Sequence, residues 1–159
     1  VRSFLPKQVD SALLDAVLEA GTYAPTGSGK QSPIIVAVQA PATVKQLPRM
    51  TAAVFGGTSD PFYGAPTILV VLADKTKRTY LLDGAAVLTT LANAAHTLGL
   101  GSCWIHRAKE EFESEEGKAL LKQWGIEGDY EGVGHIALGY AAAAPGEPAP
   151  RKSDYIVKA

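Results

Sequence analysis

Apolar residues recur along this chain with two periods, and each change of period marks the edge of an element. Val9, Leu13, Leu14, Val17 and Leu18 fall at helical spacing and predict an amphipathic helix over residues 9–20, with Asp10 as a cap near its start and Gly21 as its stop. Residues 24–33 hold two prolines, two glycines and three hydroxyl side chains, a mixture that no helix or strand interior tolerates, so they form a loop. The β-branched run Ile34-Ile35-Val36-Ala37-Val38 reads as a strand short enough to be buried. A weaker helical pattern over residues 44–54 leads into a second loop at 56–61.

Pro66 opens Thr67-Ile68-Leu69-Val70-Val71-Leu72-Ala73, apolar throughout and therefore a central strand covered on both faces. The longest predicted helix covers residues 80–98. Its apolar positions, among them Ala85, Ala86, Val87, Leu88, Leu91, Ala92, Ala94, Ala95 and Leu98, occupy nearly the whole circumference, so it must be covered on all sides. One small domain cannot do that alone. A second copy of the chain is expected to supply part of the cover, and the alanines let two backbones approach closely. Gly99-Leu100-Gly101 ends this helix, and Ser102-Cys103-Trp104-Ile105 follows as a short strand. Residues 114–124 form a further helix between Ser114 and Gly125, and residues 133–140 form the last core strand. An Ala/Pro/Gly linker over 141–150 then leads to a tail, Arg151-Lys152-Ser153-Asp154-Tyr155-Ile156-Val157, apolar enough to dock. Interleaved strands and helices without internal repeats predict a layered fold of mixed α and β elements.

With 159 residues, 47% hydrophobic and 19% charged, the chain reads as one folded domain, 1–159. Fifteen basic against sixteen acidic side chains leave a formal charge of −1, which removes the broad positive field of a protein that tracks phosphate backbones; nucleic acid is not an expected partner. No apolar run reaches the ~18 residues of a membrane span, and Val1-Arg2-Ser3-Phe4 lacks the apolar segment of a secretion signal. The single cysteine, Cys103, can build neither an internal disulfide nor a multi-thiolate zinc site, which suits a reducing cytoplasm. Because the chain opens on valine, a short leader is expected before it.

Three places could carry chemistry. The segment Gly27 to Gln31 ends in Gly29-Lys30 like a phosphate-cradling P-loop, but Ala24 and Gln31 stand where that pattern needs Gly and Ser/Thr, and the loop follows a helix and precedes a strand, the reverse of the P-loop order. Its hydroxyl, amide and ammonium groups on glycine-permitted backbone suit a planar, polar-edged ligand such as a flavin or nucleotide better than they suit a plain connection. Cys103 and His106 stand three apart, a spacing that sends strand side chains to opposite faces, so they read as a core cysteine beside a loop histidine. His96 and His135 read as hydrogen-bonded structural residues, and no metal site is expected. Arg2, Arg151 and Lys152 read alone as solvated surface; were the tail to fold back across a dimer, they could meet around one phosphate.

Taken in order, these residues resemble the nitroreductase family of FMN-dependent flavoproteins. Arg2-Ser3-Phe4 before the first helix resembles the end of the family's Arg-Arg-Ser-x-Arg-x-Phe opening, whose Arg-Arg-Ser would fall before Val1. Tyr23-Ala24-Pro25-Thr26-Gly27-Ser28-Gly29-Lys30-Gln31-Ser32-Pro33 resembles its Ala-Pro-Ser-Gly-x-Asn-x-Gln-Pro-Trp loop. Ala65-Pro66, Asp83 at the head of the central helix, residues 98–105, Leu138-Gly139-Tyr140 and the basic tail at Arg151 fall in the family's order.

The resemblance implies an α+β fold, a mixed sheet flanked by helices, in an intertwined homodimer with exchanged terminal segments (141–159 at this end) and two FMN molecules at the subunit interface. It implies that Arg2, Ser3, Arg151 and Lys152 serve the FMN phosphate. Thr26, Gly27, Ser28, Lys30 and Gln31 would contact the ribityl chain and the ring's polar edge, and Trp104, Ile105, His106 and Arg107 would border the ring near N5, mostly through backbone. No side chain is expected to be a catalytic nucleophile or acid–base group; flavin N5 is the reactive centre, NADH or NADPH the co-substrate, and a nitroaromatic or quinone-type molecule the electron acceptor. Gly29 stands for the family's Asn, Ser32-Pro33 for its Pro-Trp, and His106-Arg107 for acidic or small residues, changes that point toward an acidic substrate or NADPH. Dehalogenase-type chemistry and a nonenzymatic flavin-binding redox sensor are the alternatives.

Overall fold

The computed structural model describes residues 1–158. Four strands, β1 (Pro33–Val38), β2 (Thr67–Asp74), β3 (Gly101–Ile105) and β4 (Tyr130–Gly139), form one sheet in the order β1-β2-β4-β3, with every neighbouring pair antiparallel. The period-2 alternation of β2 divides its side chains between two cores. Ile68, Val70 and Leu72 face α2 (Pro41–Val54), α4 (Ala108–Glu113) and α5 (Glu115–Gln123), while Leu69 and Val71 face α1 (Ser11–Thr22) and α3 (Tyr80–Thr97). These five side chains are fully buried, each stabilising the sheet by roughly 1.5–3 kcal/mol. The molecule is thus α+β, a sheet with helices on both faces, as the sequence leads one to expect, although the sheet is antiparallel throughout the described strands and not mixed.

A register shift sits where β2 meets β4: Val71 pairs with Gly134 and Leu72 with Gly132, which leaves Val133 unpaired. The bulged Val133 packs on Gly84 of α3, where an added Cβ would lie 2.6 Å from a Val133 methyl group. The first residues of the chain are tied to the start of β3 and the end of β4. The Val1 ammonium donates to the Ser102 carbonyl at 2.9 Å, Phe4 bridges Ala141, and the Leu5 N–H donates to the Tyr140 carbonyl at 2.8 Å.

Several local expectations change. Gly21 does not stop α1, which runs on to Thr22. The glycine is buried instead at the crossing with α3, where a Cβ would lie 2.6 Å from Leu91 and 2.9 Å from Ile35. Asp10 precedes α1 without a side-chain cap bond; its carboxylate accepts from the Tyr140 hydroxyl at 2.8 Å. Pro41 opens α2 three residues earlier than the pattern indicates, and Pro48 lies within it. The helix α4 has too few residues to display a period and is absent from the sequence reading. Ser114 does cap α5, accepting from the Gly117 N–H at 3.0 Å.

The central helix α3 buries Asp83, Gly84, Val87, Leu88, Leu91 and Ala95, but Leu82 is 73% exposed and His96 is exposed rather than interior. One stripe of an otherwise apolar helix therefore remains open in the single chain. Tyr155, Ile156 and Val157 of the tail are exposed as well. Among the described residues no helix is long and apolar enough to cross a membrane.

The position of Gly21 fixes the sign of a test. Alanine in an open helix interior stabilises by about 0.5–1 kcal/mol over glycine, but Gly21→Ala is expected to destabilise by roughly 1–3 kcal/mol through overpacking against Leu91, as read from urea unfolding. A gain in stability would show that α1 and α3 are not in close contact here.

Candidate functional site

The loop before β1 is shaped by one carboxylate. Asp83, in the first turn of α3 and only 3% exposed, accepts the Gly27 N–H at 2.9 Å and the Ser32 hydroxyl at 2.7 Å, and the Thr79 hydroxyl completes the set at 3.1 Å. Burial by itself would raise the Asp83 pKa, yet these three donors hold it below the ordinary carboxylate range. Gly27 is required there because a Cβ would lie 2.1 Å from the Thr79 hydroxyl oxygen. Ser28 (φ 53) and Gln31 (φ 48) adopt left-handed backbone, and the Gln31 N–H is held by the Thr26 hydroxyl at 3.1 Å. Lys30 is exposed. A cavity of about 460 Å³ opens beside the loop, walled by Thr26, Gln31, Pro33, Ile35 and Val87.

The second predicted group gathers on β3. The bond from Val1 to Ser102 brings Arg2 and Ser3 to the start of this strand, and the Ser3 carbonyl accepts from the Ala142 N–H at 3.0 Å. Trp104, 43% exposed, lies over Gly134, and Ile105 is buried. His106 is exposed, while Arg107 takes left-handed backbone (φ 79) at the entry to α4. The Arg107 guanidinium is engaged, 2.8 Å from the Glu110 carboxylate and 5.3 Å from the Phe55 ring centroid. A carboxylate of this chain therefore already meets the charge expected to favour an acidic substrate.

Arg151 and Lys152, the third group, bond within the tail. Arg151 donates to the Ala149 carbonyl at 3.1 Å, and Lys152 stands 3.7 Å from Asp154 and over the Tyr155 ring. The fold thus joins Arg2 and Ser3 to the strand that carries Trp104 and Ile105, but it keeps the loop residues Thr26, Gly27, Ser28, Lys30 and Gln31 apart from them. Their loop enters β1, at one edge of the sheet, whereas β3 is the opposite edge. Two partial sites on opposite edges are what one chain presents.

The family model for the nitroreductase family matches residues 1–140. The chain belongs to the nitroreductase family. Its fold superposes on a crystal structure of a nitroreductase with bound FMN from Bacteroides fragilis NCTC 9343 with a TM-score of 0.89, at 27% identity, covering 100% of this chain and 92% of that one. A nitroreductase with bound FMN from Desulfitobacterium hafniense DCB-2 gives 0.87 at 25% identity, covering 99% and 92%. Iodotyrosine deiodinase bound to FMN and 3-iodo-L-tyrosine shares the fold, with a TM-score of 0.79 at 19% identity over 99% and 92% of the two chains.

Two polar groups of this family member escaped the sequence reading of the site. Asp83 stood out only as the head of a helix; the signal available was a carboxylate on the first turn of an otherwise apolar helix, which has to find donors nearby. The second group is Glu111 on α4 with His135 on β4, both fully enclosed. Among the described residues the His135 ring nitrogens complete no well-aligned hydrogen bond, the Ile105 backbone being the nearest approach to one, against the expectation of a satisfied structural histidine. Burial pushes Glu111 up to about 8 and His135 down to about 4.

Three expectations for stability follow from the signs of these shifts. Asp83→Ala strips acceptors from buried donors and should cost roughly 2–4 kcal/mol in chemical denaturation; in the native protein the Asp83 contribution is present above the unfolded carboxylate pKa and fades as pH falls through its lowered folded value. Glu111, raised, favours the fold most below its unfolded value of 4.5 and progressively less as pH rises to about 8. His135, lowered, favours the fold fully above 6.5 and loses that as pH falls to about 4. Stability should therefore peak in mild acid, and Glu111→Gln should flatten the decline toward pH 8; an unchanged slope in that variant would assign the decline to other groups.

Proposed function

We propose that this chain is an FMN-dependent NAD(P)H oxidoreductase that works as a homodimer and reduces nitroaromatic or quinone-type acceptors by ping-pong hydride transfer. The observation that carries this reading is the course of β3. It is an edge strand with Arg2 and Ser3 at its start and Trp104 to Arg107 at its end, and at about 3.3 Å per residue its five residues span roughly 13 Å. A cationic end, an extended rail and an aromatic end fit a phosphate, a ribityl chain and a ring in that order. The other half of the fit is the loop at Thr26 to Gln31 on the opposite edge, which a second copy would have to bring across. The open stripe of α3 and the exposed tail support that second copy.

Within such a site Arg2 supplies a bidentate guanidinium to the phosphate, and Arg151 and Lys152 of the undocked tail add charge to the same end. The backbone and hydroxyls of Thr26, Gly27, Ser28, Lys30 and Gln31 hold polar edges in place, with the Asp83 bonds keeping their geometry fixed before ligand arrives. The left-handed backbone at Arg107 turns the chain from the end of β3 into α4, which would leave its peptide groups to border the ring, and Trp104 would help to exclude water there. FMN, when bound, supplies a two-electron carrier that takes hydride from a nicotinamide and passes it on. The protein then needs to orient stacked partners more than to donate or abstract protons.

Dehalogenase-type chemistry has less support: the chain between β3 and α5 holds only the six-residue α4 and no long insertion to enclose a second substrate. The purified protein should be yellow, and its flavin absorbance between 350 and 500 nm should bleach anaerobically on NADH or NADPH and return with a nitroaromatic. A yellow protein that neither nicotinamide bleaches would be the redox-sensor alternative; a colourless protein indifferent to added FMN would remove both. Arg151→Ala with Lys152→Ala should weaken FMN binding at least tenfold, measured by flavin fluorescence quenching.

A further inference from the structure

Between α2, α4 and β4 lies a polar group for which the proposed reaction has no use. Glu111 is 1% exposed and His135 fully buried, with Phe62 edge-on to the imidazole at 5.2 Å between centroids and Phe112 at 6.1 Å. The His135 Nε2 is 3.4 Å from Glu111 Oε2, and the buried Thr51 hydroxyl donates to that same oxygen. Glu111 Oε1 and both His135 ring nitrogens complete no well-aligned hydrogen bond among the described residues, although the Ile105 backbone lies close enough to His135 to favour its protonated form. Three enclosed, unsatisfied polar atoms lower stability, so their presence calls for a purpose.

Their connections supply one. The Glu111 N–H closes the first turn of α4 on the Arg107 carbonyl at 3.1 Å, and His135 is the β-register partner of Ile105. The pair therefore grips, from behind, both ends of the Ile105–Arg107 turn, one through a helix bond and the other through strand pairing. The surrounding backbone leaves little slack: a Cβ on Gly132 would lie 2.3 Å from the Ala108 carbonyl oxygen, and one on Gly117 2.2 Å from that of Glu111.

We propose that Glu111 and His135 are positioning residues that share one buried proton, and that this proton keeps α4 seated on β4 and the Ile105–Arg107 backbone aligned with the flavin. The inference rests on the FMN reading above. A carboxylic acid beside a neutral imidazole and a carboxylate beside an imidazolium hold the same single proton, so either arrangement leaves the pocket without net charge. Removal of that proton to hydroxide, giving water, leaves a bare carboxylate in an apolar wall. Thr51 on α2 is then its nearest donor. Glu116 on α5 repels it, although Gln46 and Arg49 engage Glu116 from α2. Of the other charges on the packed elements, Glu131 on β4 is tied to Lys109, Glu110 on α4 to Arg107, and Glu115 on α5 to Lys118; Glu113 on α4 lies 3.9 Å from Lys109, and His106 disfavours a second positive charge at His135.

The test follows two readouts on the FMN-loaded protein between pH 6 and 9.5: the infrared carbonyl band of a protonated carboxylic acid, and the FMN dissociation constant. In the native protein the band should disappear with a midpoint near 8 while FMN affinity falls several-fold over the same interval. Glu111→Gln should lack the band and keep at pH 9 the affinity it has at pH 7. Should that variant fail to fold, Thr51→Val, which removes only the hydroxyl that favours the carboxylate, should shift both midpoints upward together. Overturning results are a native affinity that stays flat while the band titrates, no protonated carboxyl band at pH 7, a Glu111→Gln profile identical to the native one, or a Thr51→Val shift in the band alone. Failure to bind FMN at any pH would instead defeat the functional reading itself.

Discussion

The antiparallel pairing of β2 with β4 is the constraint from which the rest of the molecule follows. Both strands are closed to solvent on their two faces, so helices must cover each side, and β1 and β3 are driven to the edges. That displacement sets the functional geometry. The loop entering β1 and the segments gathered on β3 are held on opposite rims by the same central ladder, and the register shift at Val133 locks α3 onto it. The candidate functional surface is thereby divided by the feature that makes the fold stable.

Onto this frame the chain adds polar anchors at the points where backbone must hold an unfavourable shape. Asp83 reaches from α3 into the loop whose Ser28 and Gln31 are left-handed, and Arg107 turns at the junction of β3 with α4, above the enclosed Glu111 and His135. Of the four non-glycine residues with positive φ among the described residues, three fall in these two segments and the fourth is Tyr63, next to Phe62, which packs on His135. Strain and buried polarity thus coincide around the candidate site, the pattern expected where preorganisation is retained at the expense of stability.

The sequence disclosed much of this because its signals were long and periodic. The alternation in β2, the nearly all-round apolar face of α3 and the dense turn chemistry of residues 24–33 each survive in the structure close to where the pattern sets them. What stayed hidden depended on tertiary neighbours. Gly21 reads as a helix stop until Leu91 and Ile35 are seen against it, and Asp10 reads as a cap until Tyr140 claims its carboxylate. The six residues of α4 are fewer than two full turns, too short to show a period, so the helix bearing Glu111 gave no signal, and neither did the pairing of Glu111 with a histidine 24 positions later. The expectation that the loop and β3 residues serve one site came from resemblance; spacing along the chain carries no information about which rim of a sheet a segment will occupy.

The bare outer rim of β1 carries a consequence for the newly made chain. Along Pro33–Val38 one row of amide and carbonyl groups has no strand beside it among the described residues, and the side chains there are β-branched. Such a rim is a template for any extended peptide that drifts past. A newly made chain therefore carries an aggregation hazard on its surface, one that good packing of its interior does nothing to remove.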